Sequence, residues 1–360
     1  MEHHVAAHPH PSPLKSARRL GVAEVRTEPP RVRILIVTPA PPGTRLGNRV
    51  TALRWRGILR ALGQRASVAE SWSGEDCELL VALHAGKSAA AVRAFRARHP
   101  GARIVVALTG TDVYAEGGLD ARAHASLERA DRIVVLQAEA LRALDPRQRR
   151  KARVILQSAE RYRGRVGHRA DRSDRRSAQR ADRFGVVAVG HLRPVKDPLL
   201  AAQAVGLLPP ESRVQIEHYG SSLDAKLAAR ARRAAKDDPR WRWRGERSPA
   251  QIMKILAGAR AFVQTSRAEG GSSALAEAIV SRLPILATRI PGAIGMLGAG
   301  HRGFFEPGDA HGLARLLVRC EEDARFRRDL ARASARRAPL FAPARERAAW
   351  RSLLCEVAGG

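Results

Sequence analysis

Acidic residues are scarce in this 360-residue chain: 35 Asp and Glu stand against 64 Lys and Arg, a formal charge of +29. The deficit excludes an acidic, solvating protein and makes an anion the first kind of partner to consider. Lysine is rarer still, with seven copies (Lys15, Lys87, Lys151, Lys196, Lys226, Lys236 and Lys254), so arginine carries the excess. Aromatic residues make up only 4% of the chain, and the run that interleaves them most closely with basic residues, RWRWRG (240–245), is short and reads as a strand. A base-stacking platform needs such aromatics along an extended basic surface, so a basic nucleic-acid-binding protein is a remote alternative. Cysteine occurs three times, at Cys77, Cys320 and Cys355, without Cys-x-x-Cys spacing. That excludes a disulfide framework and a zinc knuckle. No apolar run approaches the ~20 residues that span a bilayer. The N-terminal MEHHVAAHPHPSPLKSARRL also lacks the apolar core of a signal peptide. A cytoplasmic protein without stable membrane insertion is expected. His3, His4, His8 and His10 belong to a polar tail over residues 1–30, expected to be disordered rather than metal-binding.

What the chain does contain is alternation. RVRILIVTP (31–39), CELLVALHA (77–85), RIVVALTG (103–110), RIVVLQ (132–137) and RVILQS (153–158) read as short buried strands. NRVTALRWRGILRALG (48–63) and SAAAVRAFRARHPG (88–101) read as helices between them. Residues 159–183 carry nine basic and four acidic side chains and no apolar face, and read as an Arg-rich linker. The alternation restarts at FGVVAVG (184–190). It continues through strands at 213–220, 240–245, 260–266 and 283–289, with helices at 198–208, 252–259 and 272–282, and runs on helically from residue 311 to about 357. The expected fold is α/β. Two Rossmann-like doubly wound domains, over 31–158 and 184–335, enclose an interdomain cleft, and a C-terminal helix at 336–360 packs back on the first domain.

Three constellations lie where such a cleft would be. In SRAEGGSSALAEA (266–278), Glu269 and Glu277 are eight apart and bracket Gly270, Gly271, Ser272 and Ser273 at a helix start. Glycines there let backbone N–H groups approach an anion, and the helix N-terminus favours negative charge. In VVAVGHLRPVKDP (186–198), a strand ends at Gly190, and Arg193 and Lys196 follow as a fork and a point charge suited to a diphosphate. In TPAPPGTRLGNRVTALRW (38–55), a Pro/Gly loop with Gly43 leads to Asn48 and Arg49 at a helix start. Its spacing is neither the dinucleotide fingerprint nor a P-loop. ALHAGKSAA (82–90) adds His84, Lys87 and Ser88 at one strand end, and ALTGTDVY (107–114) adds Thr109, Gly110, Thr111 and Asp112 at another. Polar groups at several strand ends of one sheet point to a site.

The order GHLRPVKDP, EGGSSALAEA and GFFEPGD (303–309) resembles family-4-type glycosyltransferases of the GT-B fold, over roughly residues 31–340. The resemblance implies a nucleotide-sugar donor. It places Arg193 and Lys196 on the donor diphosphate, Glu269 on the donor sugar and Glu277 on the ribose. The backbone from Gly270 to Ser273 then lies against phosphates and sugar. More narrowly, PPGTRLGNRVTALRW, VALHAGKSA, ALTGTDVY, GHLRPVKDP and ATRIPGAIG (287–295) resemble the selenosugar synthases of selenoneine biosynthesis. Those enzymes join a UDP-sugar such as UDP-N-acetylglucosamine to selenophosphate through a carbon–selenium bond. Ser272 and Ser273 stand where small or amide side chains are expected in that group.

Selenophosphate is small, anionic and nucleophilic at selenium, so it needs positioning more than a strong base. Asn48, Arg49, His84, Lys87, Ser88, Thr109 and Thr111 are the expected acceptor residues. Gly43, Gly190, Arg193, Lys196, Glu269, Gly270, Gly271, Ser272, Ser273 and Glu277 are the expected donor residues, with Arg193, Lys196 and Glu269 catalytic. No Asp-x-Asp pair is present, so no metal and no cofactor is expected. A functional link to a selenophosphate-producing enzyme follows from the resemblance. The alternative is a conventional family-4 glycosyltransferase that acts on a lipid-linked or polysaccharide acceptor.

Overall fold

The computed structural model describes residues 29–114, 117–164 and 183–359. The tail expected over 1–30 and the linker expected over 159–183 lie largely outside the described residues.

Two six-stranded sheets follow one another along the chain. The first contains β1 (Arg33–Val37), β2 (Arg65–Ala69), β3 (Leu79–Leu83), β4 (Arg103–Leu108), β5 (Arg132–Val135) and β6 (Ala152–Val154). Its spatial order is β2-β1-β3-β4-β5-β6, with every pairing parallel. The second contains β7 (Phe184–Val189), β8 (Val214–Tyr219), β9 (Trp241–Trp243), β10 (Ala261–Gln264), β11 (Ile285–Thr288) and β12 (Phe304–Phe305). Its order is β12-β11-β10-β7-β8-β9, again all parallel. Parallel sheets are covered on both faces, which is why their central strands are continuous apolar runs. All five residues of β3 are buried, as are all four of β10.

Both strand orders reverse direction once, between β1 and β3 and between β7 and β10. Open α/β sheets bind ligands beyond the carboxyl ends of strands at such a switch point. The loops after β1, β3, β7 and β10 therefore mark the site before any side chain is considered.

Several boundaries differ from the sequence reading. The strand expected over 153–158 ends at Val154. It is an edge strand with one neighbour, and the residues beyond it turn to other partners: Gln157 Nε2 donates to Thr51 Oγ1 at 2.6 Å, and Ser158 N donates to Glu346 at 2.8 Å. The helical stretch from residue 311 is three helices, Ala310–Glu322, Ala324–Arg337 and Pro343–Gly359. Asp323 ends the first and caps the second, its carboxylate accepting from Arg325 N and Phe326 N.

The last helix packs across the first domain. Trp350, Leu353, Leu354 and Val357 enter the core formed by Trp55, Leu59 and the β1 and β3 side chains. Trp55 and Trp350 meet edge to face, with ring centroids 4.8 Å apart. Glu346 is the polar centre of this contact, 2% exposed. It accepts from Trp55 Nε1 at 3.1 Å and from Ser158 N and Oγ at 2.8 and 2.6 Å, and it faces Arg54 at 3.6 Å. Removing one member of a buried ionic network strands the others. Glu346→Ala should lower stability by about 3–5 kcal/mol. Urea unfolding measures this, and a loss below about 1 kcal/mol would contradict a coupled network.

Candidate functional site

A cavity of about 500 Å³ lies between the two sheets, at the carboxyl ends of their strands. Its C-terminal wall is made of Gly190, His191, Arg193 and Lys196 after β7, Tyr219 and Gly220 at the end of β8, and the run Glu269–Ala274 with Glu277 after β10. Its N-terminal wall is made of Asn48, Val50 and Thr51, with His84, Lys87 and Thr109–Thr111.

The loop after β7 is held for this purpose. Pro194–Lys196 forms one 3-10 turn, and Asp197 adopts left-handed geometry at φ 43°. Its carboxylate binds Arg267 at 2.8 Å, while Arg267 N donates to Val195 O at 2.8 Å. Thr265 Oγ1 donates to Lys196 O at 2.9 Å. The β7 loop and the β10 loop are thus tied together, and the tie aims Lys196 Nζ at Glu269 Oε1, with which it forms an ion pair. Ser266 Oγ donates to the same carboxylate at 2.8 Å. The Arg193 side chain lines the cavity and makes no hydrogen bond or ion pair among the described residues, so its guanidinium is available to a ligand.

Ser272 caps helix Ser273–Val280, with its hydroxyl accepting from Leu275 N at 3.2 Å. Gly270 and Gly271 have a stated steric reason for lacking side chains. A Cβ on Gly270 would lie 2.5 Å from Thr109 C, and one on Gly271 would lie 2.7 Å from the Leu136 side chain. The two domains therefore meet through bare backbone at this point. Ser273 Oγ donates across the cleft to Gln157 Oε1 at 3.2 Å. Glu277, a turn into the helix, is pushed up to about 7 by burial, against a smaller opposing effect of Arg54.

On the opposite wall, His84 sits at the end of β3 with φ 70°. Its Nδ1 accepts from Lys87 N at 3.3 Å, which leaves Nε2 as the N–H donor to Thr111 Oγ1 at 3.2 Å. Burial lowers its pKa, partly offset by Asp112, so the ring is neutral near pH 7.

The structure brings most of the expected residues to one cavity: Gly190, Arg193, Lys196, Glu269, Gly270, Gly271, Ser272, Ser273 and Glu277 on one side, with Asn48, His84, Lys87, Thr109 and Thr111 on the other. Gly43, Arg49 and Ser88 are not among its lining residues. Gly43 occupies an exposed turn at φ 77°. Ser88 is 5% exposed and spends its hydroxyl on Leu83 O at 2.7 Å, a strand-end lock. Arg49 Nε and Nη1 are buried without a hydrogen-bond partner among the described residues.

Sequence reasoning missed the groups that join the halves. His191 receives Ser221 N–H at Nδ1 (3.2 Å) and so donates from Nε2 to Arg45 O at 3.1 Å. Arg45 also pairs with Glu246 at 3.2 Å. His191 was in view within GHLRPVKDP, but its partner lies 146 residues away. Among the described residues no group of three or more His, Cys, Asp or Glu is placed to hold a metal ion. No helix among them is long and apolar enough to cross a membrane.

Residues 170–337 match the family described as glycosyl transferases group 1. A comparison with curated proteins gives no match. Among solved structures, HepE from Anabaena in complex with UDP superposes with a TM-score of 0.70 at 17% identity, over 91% of this chain and 100% of that one. Sucrose-phosphate synthase from Thermosynechococcus elongatus gives 0.73 at 15% identity, over 90% and 98%. A glycosyltransferase from Rickettsia africae gives 0.65 at 11% identity, over 91% and 98%. The chain therefore has the GT-B fold, and its residues 170–337 are similar to glycosyl transferases group 1.

Proposed function

We propose that the protein is a glycosyltransferase that uses a UDP-sugar donor, with Arg193, Lys196, Glu269 and Glu277 handling the donor. The observation that carries this reading is the Lys196–Glu269 pair beside an Arg193 side chain with no partner among the described residues and a glycine-opened helix start, all on one cavity wall. HepE, which shares the fold, binds UDP and UDP-glucose. Cleavage of the glycosyl–phosphate bond leaves charge on the departing diphosphate. Fixed cations and N–H dipoles stabilise that charge without reorganising. Glu269, held by Lys196 and Ser266, is positioned to accept donor-sugar hydroxyls, and Glu277 to accept those of the ribose.

The acceptor we propose is selenophosphate, and the donor UDP-N-acetylglucosamine. Selenium attacks the anomeric carbon, a carbon–selenium bond forms, the bond to the diphosphate oxygen breaks, and UDP leaves with the electron pair. The wall opposite the donor residues supports an acceptor of this kind. Among its lining residues it offers two cations (Arg45 and Lys87), a neutral His84 and three threonines (Thr51, Thr109 and Thr111); the carboxylates of the lining, Glu246, Glu269 and Glu277, all come from the opposite wall. The conventional alternative, a larger lipid-linked or saccharide acceptor, has its support in Val50 and Leu223 on the cavity lining, 39% and 57% exposed.

Release of UDP from UDP-N-acetylglucosamine should depend on added selenophosphate. Release that is indifferent to selenophosphate would remove the acceptor assignment. With Arg193 and Lys196 as fixed counter-charges, we propose that no metal is required. Addition of EDTA should leave the rate within about twofold, whereas a drop beyond about tenfold, restored by a divalent ion, would refute metal independence.

A further inference from the structure

We propose that Asp112 is a positioning residue that builds the acceptor wall of the cleft and, through Gly110, sets how that wall meets the Glu269 loop; the kinetic part of this inference rests on the glycosyltransferase reading above.

The Asp112 side chain is wholly buried. Its carboxylate accepts from Ala85 N at 3.0 Å, from Thr109 N at 2.9 and 3.2 Å, and from Gly110 N at 2.8 Å. Ala85 follows β3 and Thr109 follows β4, so one side chain joins the two strand ends that carry the cleft's His84, Lys87, Thr109 and Thr111. His84 Nδ1 faces it at 3.9 Å, and no lysine or arginine side chain is paired with it among the described residues. The charge is therefore balanced by backbone dipoles, and such charge-assisted bonds are about twice as strong as neutral ones.

The second half of the device is Gly110. It has φ 129°, a region that favours glycine, and a Cβ there would lie 2.4 Å from Gly270 N. Gly270 follows Glu269 directly. The backbone that Asp112 holds is thus the surface on which the Glu269 loop rests. A shift of Thr109–Gly110 is a shift of the acceptor wall relative to the donor carboxylate. Cleft chemistry is sensitive to such shifts, because proximity and orientation make up much of the rate.

Asp112→Asn tests this with little change of volume. The amide keeps one acceptor oxygen and turns an NH₂ towards backbone N–H donors. Either the Ala85 link or the Thr109–Gly110 link is then lost. Amide hydrogen exchange reads the wall without substrate. Peptides covering 84–88, 108–112 and 268–273 should exchange about tenfold faster in the variant, while helix Ala89–Arg98 is unchanged. Unchanged exchange across 268–273 would overturn the coupling to the Glu269 loop.

The kinetic readout is partition between transfer and hydrolysis of UDP-N-acetylglucosamine, with selenophosphate as acceptor. Asp112→Asn should lower the transfer rate about tenfold, keep the donor KM within about twofold, and raise the ratio of hydrolysis to transfer. A merely structural loss lowers both rates together, and an unmoved ratio would overturn the positioning role. Should Asp112→Asn fail to fold, Asp112→Glu, which keeps the charge and shifts the carboxylate by one methylene, carries the same test, and Gly110→Ala tests the contact with Gly270 separately. Wild-type protein that releases no UDP refutes the proposed function, and the exchange experiment still decides the role of Asp112.

Discussion

Replacing Lys196 with alanine should lower kcat by about 10²–10³-fold, the cost seen when one preorganised electrostatic group is removed from a charge-developing transition state. The structure gives two reasons for so large an effect. Lys196 faces the cavity from a turn held by three ties, Arg267 N on Val195 O, Thr265 on the Lys196 carbonyl and the Asp197–Arg267 pair on the next residue. A cation held this way meets the departing diphosphate without a search. Lys196 is also the ionic partner of Glu269, whose side chain is only 11% exposed. On the proposed donor placement, the truncation would leave that carboxylate near the diphosphate with no counter-charge, so it would repel the leaving group as well as losing a stabiliser. Steady-state kinetics with saturating donor measure the effect. A kcat within about threefold of wild type would remove Lys196 from the catalytic centre.

Glu277→Ala should act on donor affinity, raising the KM for the UDP-sugar about 10–100-fold while kcat falls less, as expected for loss of hydrogen bonds to a charged group. Its burial also gives a pH signature. Burial raises the Glu277 carboxyl to about 7, so it carries its proton at pH 6 and is ionised at pH 8. The ionised form accepts two hydroxyl hydrogens, and the protonated form spends one oxygen on its own proton. Donor affinity should therefore rise with pH across 6–8. Glu277→Gln should show weaker binding that no longer changes in this range. Equal pH dependence in wild type and Glu277→Gln would show that another group titrates.

The parts of this architecture that could be read in advance were those with local causes. Buried parallel strands must be apolar throughout, so β1, β3, β4, β7 and β10 stand out as runs ended by glycine or a polar residue. The loops that follow those ends line the cavity, which is why spacing and residue type could single out Arg193, Lys196, Glu269 and Glu277 as its lining. β2 was missed because RASVA lies at a sheet edge, where only Ala66 is fully buried and no apolar run is needed. Helix Ala225–Asp237 was missed because its buried face is Leu227, Ala228 and Ala231, too slight a stripe among arginines. Ser88 and the exposed Gly43 fall outside the cavity lining for local reasons. A hydroxyl just beyond a strand can be taken by that strand's last carbonyl, as Leu83 O takes that of Ser88.

Contacts between the halves had no local signal at all. Arg45 with His191 and Glu246, Gly110 against Gly270, and Gln157 with Ser273 depend on how two domains meet. They also show what the charge of +29 does and does not mean. Many arginines serve as struts: Arg240 on Asp238, Arg244 on Glu217, Arg132 and Arg153 on Glu356. The basic groups facing the cavity are few, and Arg193, Lys196 and Lys87 are the ones the proposed chemistry uses.

The most direct test of the account is the product itself. Purified protein is incubated with UDP-N-acetylglucosamine and selenophosphate, and the mixture is analysed by mass spectrometry. The prediction is UDP together with a sugar that carries the selenium isotope pattern on its anomeric carbon. Neither product from these substrates, with sugar transfer instead to a lipid-linked or saccharide acceptor, would contradict it.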